Sequence, residues 1–244
     1  MFTKAIKPQD IPNLFRLIWL LARIPRIATI LEPGKALERE LGQVLNPNNT
    51  LGELFAKYKS DKSTVHDYDK AYEECLETCK NQAGIVVEIG IGTNNPNIPS
   101  FMPKEYRPGA SLRAFAEYLP RMQVIGGDID KQILFQDDRI RTYFVNQKKK
   151  STFSEITNAI TTIKMPVRLI VIGGLHQPIA DVNSIIMLLP YLSEGGHLYI
   201  EDVFPSKQNY FIWGFALRLL NANRYEGNIL QREHRCLIQI KRKH

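Results

Sequence analysis

The sequence predicts an α/β protein: a mostly parallel sheet with helices on both faces, an antiparallel last strand, and a helical extension at the N-terminal side. Three observations carry this. From residue 85 onward, short β-branched runs alternate with helix-length stretches, the rhythm of βαβ units. The first run, Ile85-Val86-Val87-Glu88-Ile89, ends in the tight turn Gly90-Ile91-Gly92. Polar residues then gather just after the strand-like runs, at the carboxyl edge where open α/β sheets bind ligands.

Taken in order, the segment Lys35 to Tyr58 reads as helical, broken around Asn46-Pro47-Asn48-Asn49. Thr50 is a natural N-cap for its second piece, and Glu53 completes a capping box. Asp69 to Lys80 is a further helix-favouring stretch. Beyond the first strand come a helix over Ser111 to Tyr118 and a strand over Gln123 to Gly127, ending in Asp128-Ile129-Asp130. Ile140 to Val145 reads as a strand, Ser151 to Ile163 as a helix, and Leu169 to Ile172 as a strand ending in Gly173-Gly174-Leu175-His176. Asp181 to Leu192 reads as a helix, and Gly196 to Ile200 as a strand ending at Glu201-Asp202. A helix over Phe211 to Asn221 leads to two closing strands, Tyr225 to Leu230 and Cys236 to Lys241. This divides the chain into an extension over residues 1–80 and an α/β domain over residues 81–244.

Composition bounds the function. With 244 residues, 44% of them apolar, the chain can bury a large core, and 15 Gly and 14 Pro exclude collagen-like and low-complexity classes. Three cysteines make no disulfide framework, and zinc-type Cys/His clusters are absent, so a reduced, cytoplasmic protein is expected. The +7 net charge is spread along the chain apart from Lys148-Lys149-Lys150 and Lys241-Arg242-Lys243. No zinc finger, arginine-rich arm or RNP-type aromatic pattern accompanies it, which argues against nucleic acid. A positive surface equally suits phosphorylated or nucleotide-linked substrates. The apolar run Leu14 to Leu21 is far shorter than the roughly 20 residues needed to span a bilayer. It reads as a helix packed on its own domain or on another subunit, in preference to an interfacial membrane helix.

Glycines at 90 and 92 let a ligand approach the backbone, since no Cβ intrudes. The third glycine of a dinucleotide fingerprint would fall at Asn95, and a Walker lysine is missing, which places a dehydrogenase or phosphate-cradling loop behind other readings. Glu88 before the turn would repel a pyrophosphate and suits a cationic amino group, and Asp128 can accept hydrogen bonds from a ribose diol.

This pattern resembles the class I S-adenosylmethionine-dependent methyltransferases, with their Rossmann-like fold, over roughly Leu51 to Lys241. The segments Gly92-Thr93-Asn94-Asn95-Pro96, Pro108-Gly109-Ala110-Ser111-Leu112-Arg113, Gly127-Asp128-Ile129-Asp130 and Asp137-Asp138-Arg139-Ile140 narrow it. They are similar to the sugar O-methyltransferases of glycan and macrolide-glycoside pathways, mycinamicin sugar methyltransferases among them. Ser60-Asp61-Lys62 with His66, Tyr68 and Tyr72 resembles that group's cofactor lid. The resemblance implies that Gly90, Gly92 and Thr93 lie under S-adenosylmethionine, with Glu88 at its methionine end and Asp128 on its ribose. It places Asn146 and Gln147 beside the adenine, with Lys62 and Tyr68 closing over the site.

His176 stands where the resemblance places a general base, which methyl transfer to a poorly acidic hydroxyl requires. Metal-dependent relatives read Asp-Asp-Gly-x-His or close to it, whereas this chain reads Ile172-Gly173-Gly174-Leu175-His176. Glu201 and Asp202 match the family's other acidic pair and are the candidate Mg²⁺ ligands, in a site weakened by Gly173. The expected activity is O-methylation of a hydroxyl on a sugar or nucleotide-linked sugar, by a protein that forms homo-oligomers. The alternative is a catalytically decayed binding partner in a glycan-assembly complex.

Overall fold

The computed structural model describes residues 49–221, 224–232 and 235–243. Leu14 to Leu21 and the first part of the Lys35 to Tyr58 helix lie outside them. Among the described residues, no helix is long and apolar enough to cross a membrane.

Among the described residues three short helices come first: α1 (Leu51–Lys57), α2 (Asp61–Thr64) and α3 (Asp69–Leu76). Thr50 caps α1 with both halves of the expected capping box present. Then β1 (Gly84–Ile89), α4 (Ala110–Tyr118), β2 (Met122–Asp128), β3 (Ile140–Phe144), α5 (Ser154–Ile163) and β4 (Val167–Ile172) alternate. They are followed by α6 (Pro178–Leu188), β5 (Leu192–Val203), α7 (Lys207–Asn221), β6 (Tyr225–Gln231) and β7 (Cys236–Arg242). The seven strands form one sheet in the order β3-β2-β1-β4-β5-β7-β6. The first five pair in parallel, while β7 runs antiparallel to both neighbours. The antiparallel strand thus lies inside the sheet, between β5 and β6.

Several boundaries differ from the sequence reading; α7, for one, begins at Lys207 instead of Phe211. Helix α6 begins three residues before Asp181, because Pro178 suits the first helical turn, and it stops before Pro190, whose ring cannot continue it. Strand β5 runs through Glu201 and Asp202 instead of ending before them, and its pairing with β7 shifts register between Ile200 and Val203. The acidic pair therefore sits on an irregularity of the strand, with Asp202 at φ +55°.

Strand β1 is buried along its whole length, as a central parallel strand must be. Side-chain alternation sends Ile85, Val87 and Ile89 into a core shared with α5, α6 and α7. Val86, Leu169, Val171 and Tyr199 point to the opposite face, where they pack with Leu54, Phe55 and Tyr72 of α1 and α3 and Phe115 of α4. The segment 51–79 is thus built into one of the two main cores. The same alternation decides the site. Glu88 shares the parity of Val86, and Glu201 that of Tyr199, so both carboxylates turn toward the layer of α1 to α4.

Candidate functional site

A cleft opens at the carboxyl ends of β1 to β5. The candidate catalytic, cofactor-binding and metal residues of the sequence all line it: Lys62, Tyr68, Glu88, Gly90, Gly92, Thr93, Asp128, Asn146, Gln147, His176, Glu201 and Asp202. The floor is the turn after β1. Gly90 has φ +90°, and a Cβ there would lie 2.4 Å from Gly174 Cα, so two backbones meet at a separation only glycine permits. Across the cleft, Asn94 donates to Tyr106 O at 2.5 Å, and Met102 N donates to Thr93 O at 2.7 Å. These bonds fold the 98–106 loop over the glycine turn.

Asp128 ends β2 as expected. Its Oδ2 accepts from Ile91 N and its Oδ1 from Asp130 N, each at 2.9 Å, and each oxygen keeps a further lone pair for a ligand. Burial raises its pKa, and these amides partly oppose the rise. Thr93 Oγ1 donates to Asp130 Oδ2 at 2.5 Å. Asn146 Oδ1 accepts from Lys148 N at 3.0 Å, shaping the turn after β3. Gln147 is committed to the scaffold: Oε1 accepts from Leu175 N at 2.8 Å and Nε2 donates to Ser184 Oγ at 3.0 Å. Gly174 leaves room for it, since a Cβ there would meet Gln147 Oε1.

The other end of the cleft is organised by charge. Lys62 is buried, with Nζ 2.6 Å from both Glu201 carboxylate oxygens and 3.2 Å from Glu88 Oε1. Burial alone would lower the lysine pKa, but the Glu201 and Glu88 carboxylates hold it well above its ordinary value. Burial raises the Glu88 pKa, Lys62 lowers it, and the like charge of Glu201 raises it again. Ser111 Oγ is 2.8 Å from each Glu88 oxygen, and Tyr72 OH donates to Glu201 Oε1 at 2.5 Å. Gly173 also has a steric reason, because a Cβ there would lie 2.1 Å from Glu201 Oε2. The missing carboxylate leaves the space that Glu201 uses.

Asp202 faces a different set. Tyr68 OH lies 3.0 Å from Asp202 Oδ1 and accepts from Asp202 N at 3.1 Å. Burial, then the Asp202 and Glu201 charges, push the Tyr68 phenol far up, so it stays protonated. His66 Nδ1 is 3.4 Å from Asp202 Oδ1, and His176 Nε2 is 3.6 Å from Asp202 Oδ2. One carboxylate thus stands between two imidazoles. His66 stacks on Tyr68, and its pKa is raised by its bond to Asp61, 3.4 Å away on the other side. His176 has φ +50°, an uncommon conformation for a non-glycine residue and one often found at functional sites.

These distances bear on the metal expectation. Both Glu201 oxygens are taken by an ammonium, and position 173 supplies no carboxylate. Among the described residues, no group of three or more His, Cys, Asp and Glu is arranged to hold a metal ion. The arrangement does not fit a divalent cation on the Glu201–Asp202 pair, since such an ion needs several oxygens turned toward it. The physical reason is that Lys62 already supplies the positive charge. Sequence reasoning gave no individual role to Ser111 or Tyr106. For Ser111 and Tyr106 the signal is register, which brings a hydroxyl over β1 and a ring over Gly92.

No family model matches the sequence. The chain is 30% identical over 176 residues to an L-olivosyl-oleandolide 3-O-methyltransferase of Streptomyces antibioticus, covering 71% of this chain and 42% of that protein. It is 28% identical over 156 residues to an 8-demethyl-8-alpha-L-rhamnosyl tetracenomycin-C 2'-O-methyltransferase of Streptomyces olivaceus, covering 64% of this chain and 38% of the relative. The chain spans about two fifths of the length of these relatives. Among solved structures, MycE methyltransferase from the mycinamycin biosynthetic pathway, in complex with Mg, SAH and mycinamycin VI, is similar with a TM-score of 0.62. That match has 19% identity and covers 80% of this chain and 55% of MycE. The fold is therefore the Rossmann-like class I methyltransferase fold, and the sequence resembles sugar O-methyltransferases of macrolide pathways.

Proposed function

We propose that the chain is an S-adenosylmethionine-dependent O-methyltransferase acting on a hydroxyl of a sugar-bearing small molecule. The observation that carries this reading is that one cleft joins the Gly90–Gly92 turn and Asp128 to His176. A nucleoside-binding end and a proton-accepting end thus share one cavity. The sequence resemblance to sugar O-methyltransferases supports the same assignment.

The residues present fit such a cofactor. Asp128 has spare lone pairs where a ribose diol would lie, and the glycine turn presents bare backbone. Asn146 and Thr93 line the same pocket. Bound there, S-adenosylmethionine would supply a methyl group on a positively charged sulfur. Transfer of that methyl to oxygen would leave a neutral thioether, and His176 is the residue placed to take the acceptor hydroxyl proton. Asp202, 3.6 Å from His176 Nε2, orients the imidazole and steadies its protonated form. In this reading Asp202 serves the base instead of a metal. Glu201 and Lys62 form a fixed charged wall, and α2 with Tyr68 acts as the lid expected of residues 1–80.

Calorimetric titration with S-adenosylhomocysteine tests the cofactor half. Saturable binding is expected, weakened about tenfold or more in Asp128→Ala, on the scale of losing charge-assisted hydrogen bonds. For the base, His176→Ala is expected to lower kcat by about 10²-fold or more with S-adenosylhomocysteine affinity unchanged. Unchanged turnover in that variant removes His176 from the chemistry.

A further inference from the structure

The acidic end of the cleft brings three carboxylates, Glu88, Glu201 and Asp202, into one lining. We propose that the Lys62 ammonium is the resident cation of this end, standing where a divalent ion would otherwise bridge carboxylates, so that methyl transfer here is metal-independent and a divalent ion competes with α2 for Glu201. The inference deepens the methyltransferase reading and rests on it for the reaction. Lys62 acts in it as a positioning residue, through the carboxylates it holds.

The pairing of donors with acceptors carries the argument. An ammonium has three N–H groups and accepts nothing. Lys62 Nζ lies 2.6 Å from Oε1 and from Oε2 of Glu201, and 3.2 Å from Oε1 of Glu88. Each of its N–H groups thus has one carboxylate oxygen. Tyr72 OH adds a donor to Glu201 Oε1, and Ser111 Oγ stands 2.8 Å from both Glu88 oxygens. Asp202 Oδ1 faces Tyr68 OH and His66 Nδ1, and Oδ2 faces His176 Nε2. Every oxygen of the three carboxylates therefore has a side-chain partner within 3.6 Å. A divalent ion needs oxygens turned toward it, and taking those of Glu201 would strand a buried ammonium.

The chain also fixes where this cation stands. Tyr68 N donates to Lys62 O at 2.8 Å, and Ser63 Oγ donates to Gly52 O at 3.2 Å, tying α2 to α1. Position 173 agrees with it. A side chain there would collide with Glu201 Oε2. A carboxylate on β4 and the present Lys62–Glu201 pair thus exclude one another, and Gly173 goes with the ammonium.

The test uses the full chain and Mn²⁺ as the probe, read by the paramagnetic signal of the free ion, with S-adenosylhomocysteine titrated separately in EDTA and in Mg²⁺. The unmodified protein should show no saturable uptake of Mn²⁺, and equal S-adenosylhomocysteine affinity in both buffers. Lys62→Met, which strips the cation from Glu88 and Glu201, should bind Mn²⁺ about tenfold or more tightly than the parent. Its melting temperature should then rise with Mn²⁺. Lys62→Arg, which keeps a cation, should gain no such site. A lysine that only stabilised the fold would lower the melting temperature of Lys62→Met without creating a metal site. Gly173→Asp, which crowds Glu201 off the ammonium, should show the same gain and serves where Lys62→Met does not fold. Mn²⁺ uptake by the unmodified protein that Glu201→Gln removes, S-adenosylhomocysteine binding that EDTA weakens, or folded variants at 62 and 173 that both ignore Mn²⁺ overturns the proposal. Failure to bind S-adenosylhomocysteine in either buffer overturns the methyltransferase reading instead, and the Mn²⁺ titrations still decide the cation.

Discussion

A single ammonium decides how this site is wired. Lys62 lies between two buried carboxylates, and removing it would leave Glu88 and Glu201 uncompensated. Breaking a buried ion pair from one side costs about 3–5 kcal/mol. Lys62→Met is therefore expected to lower unfolding free energy by about that amount in urea denaturation, a loss that a mere lid residue would not show. At this scale the sequence was legible in identity and only partly in role. Lys62, Glu88, Asp128, His176, Glu201 and Asp202 all reach one cleft. What spacing could not disclose is which of them spend their bonds on each other. Lys62 meets Glu201 across 139 residues of sequence, Tyr72 meets the same carboxylate across 129, and no local pattern encodes either meeting.

At the scale of elements, alternation and punctuation were enough for the strands and helices from β1 onward, because a buried parallel strand must be apolar and prolines fix helix ends. The extent of β5 was not legible, since Glu201 and Asp202 look like a loop until β7 pairs beyond them at Val203. The same pairing sets His197 opposite Lys241. His197 is buried, its Nδ1 lacks a hydrogen-bond partner among the described residues, and burial with the Lys241 charge lowers its pKa to about 4. A histidine held below its unfolded value of about 6.5 costs nothing above that pH and withdraws stability as pH falls from there toward 4. Urea denaturation at pH 7 and pH 5 should show the wild-type protein losing about 2 kcal/mol more than His197→Gln.

Over the whole molecule, the cleft gathers its lining from α2, from the ends of five strands and from the 98–106 loop. A ligand there contacts segments far apart in the chain and binds only when all are folded together. At about 100 times its dissociation constant, S-adenosylhomocysteine should add about 2.7 kcal/mol of stability, seen as a melting temperature higher by about 5–10 °C. A shift of that size, absent with adenosine alone at the same concentration, is expected if both ends of the cleft engage the ligand.

The placement of β7 has a consequence for how the protein comes into being. Strand β6 is joined to β5 only through β7, which comes later in the chain than either. Until β7 is in place β5 presents an open edge to any other chain in reach, and such edges invite misassembly. A hairpin of β6 and β7 can form locally, but the bend that carries Glu201 and Asp202 is fixed only once Ile200 and Val203 find Ile238 and Cys236. A nascent or truncated chain short of β7 therefore has its glycine turn and its lid residues but no settled acidic pair. Competence at the proton-accepting end arrives with the last strand, all at once.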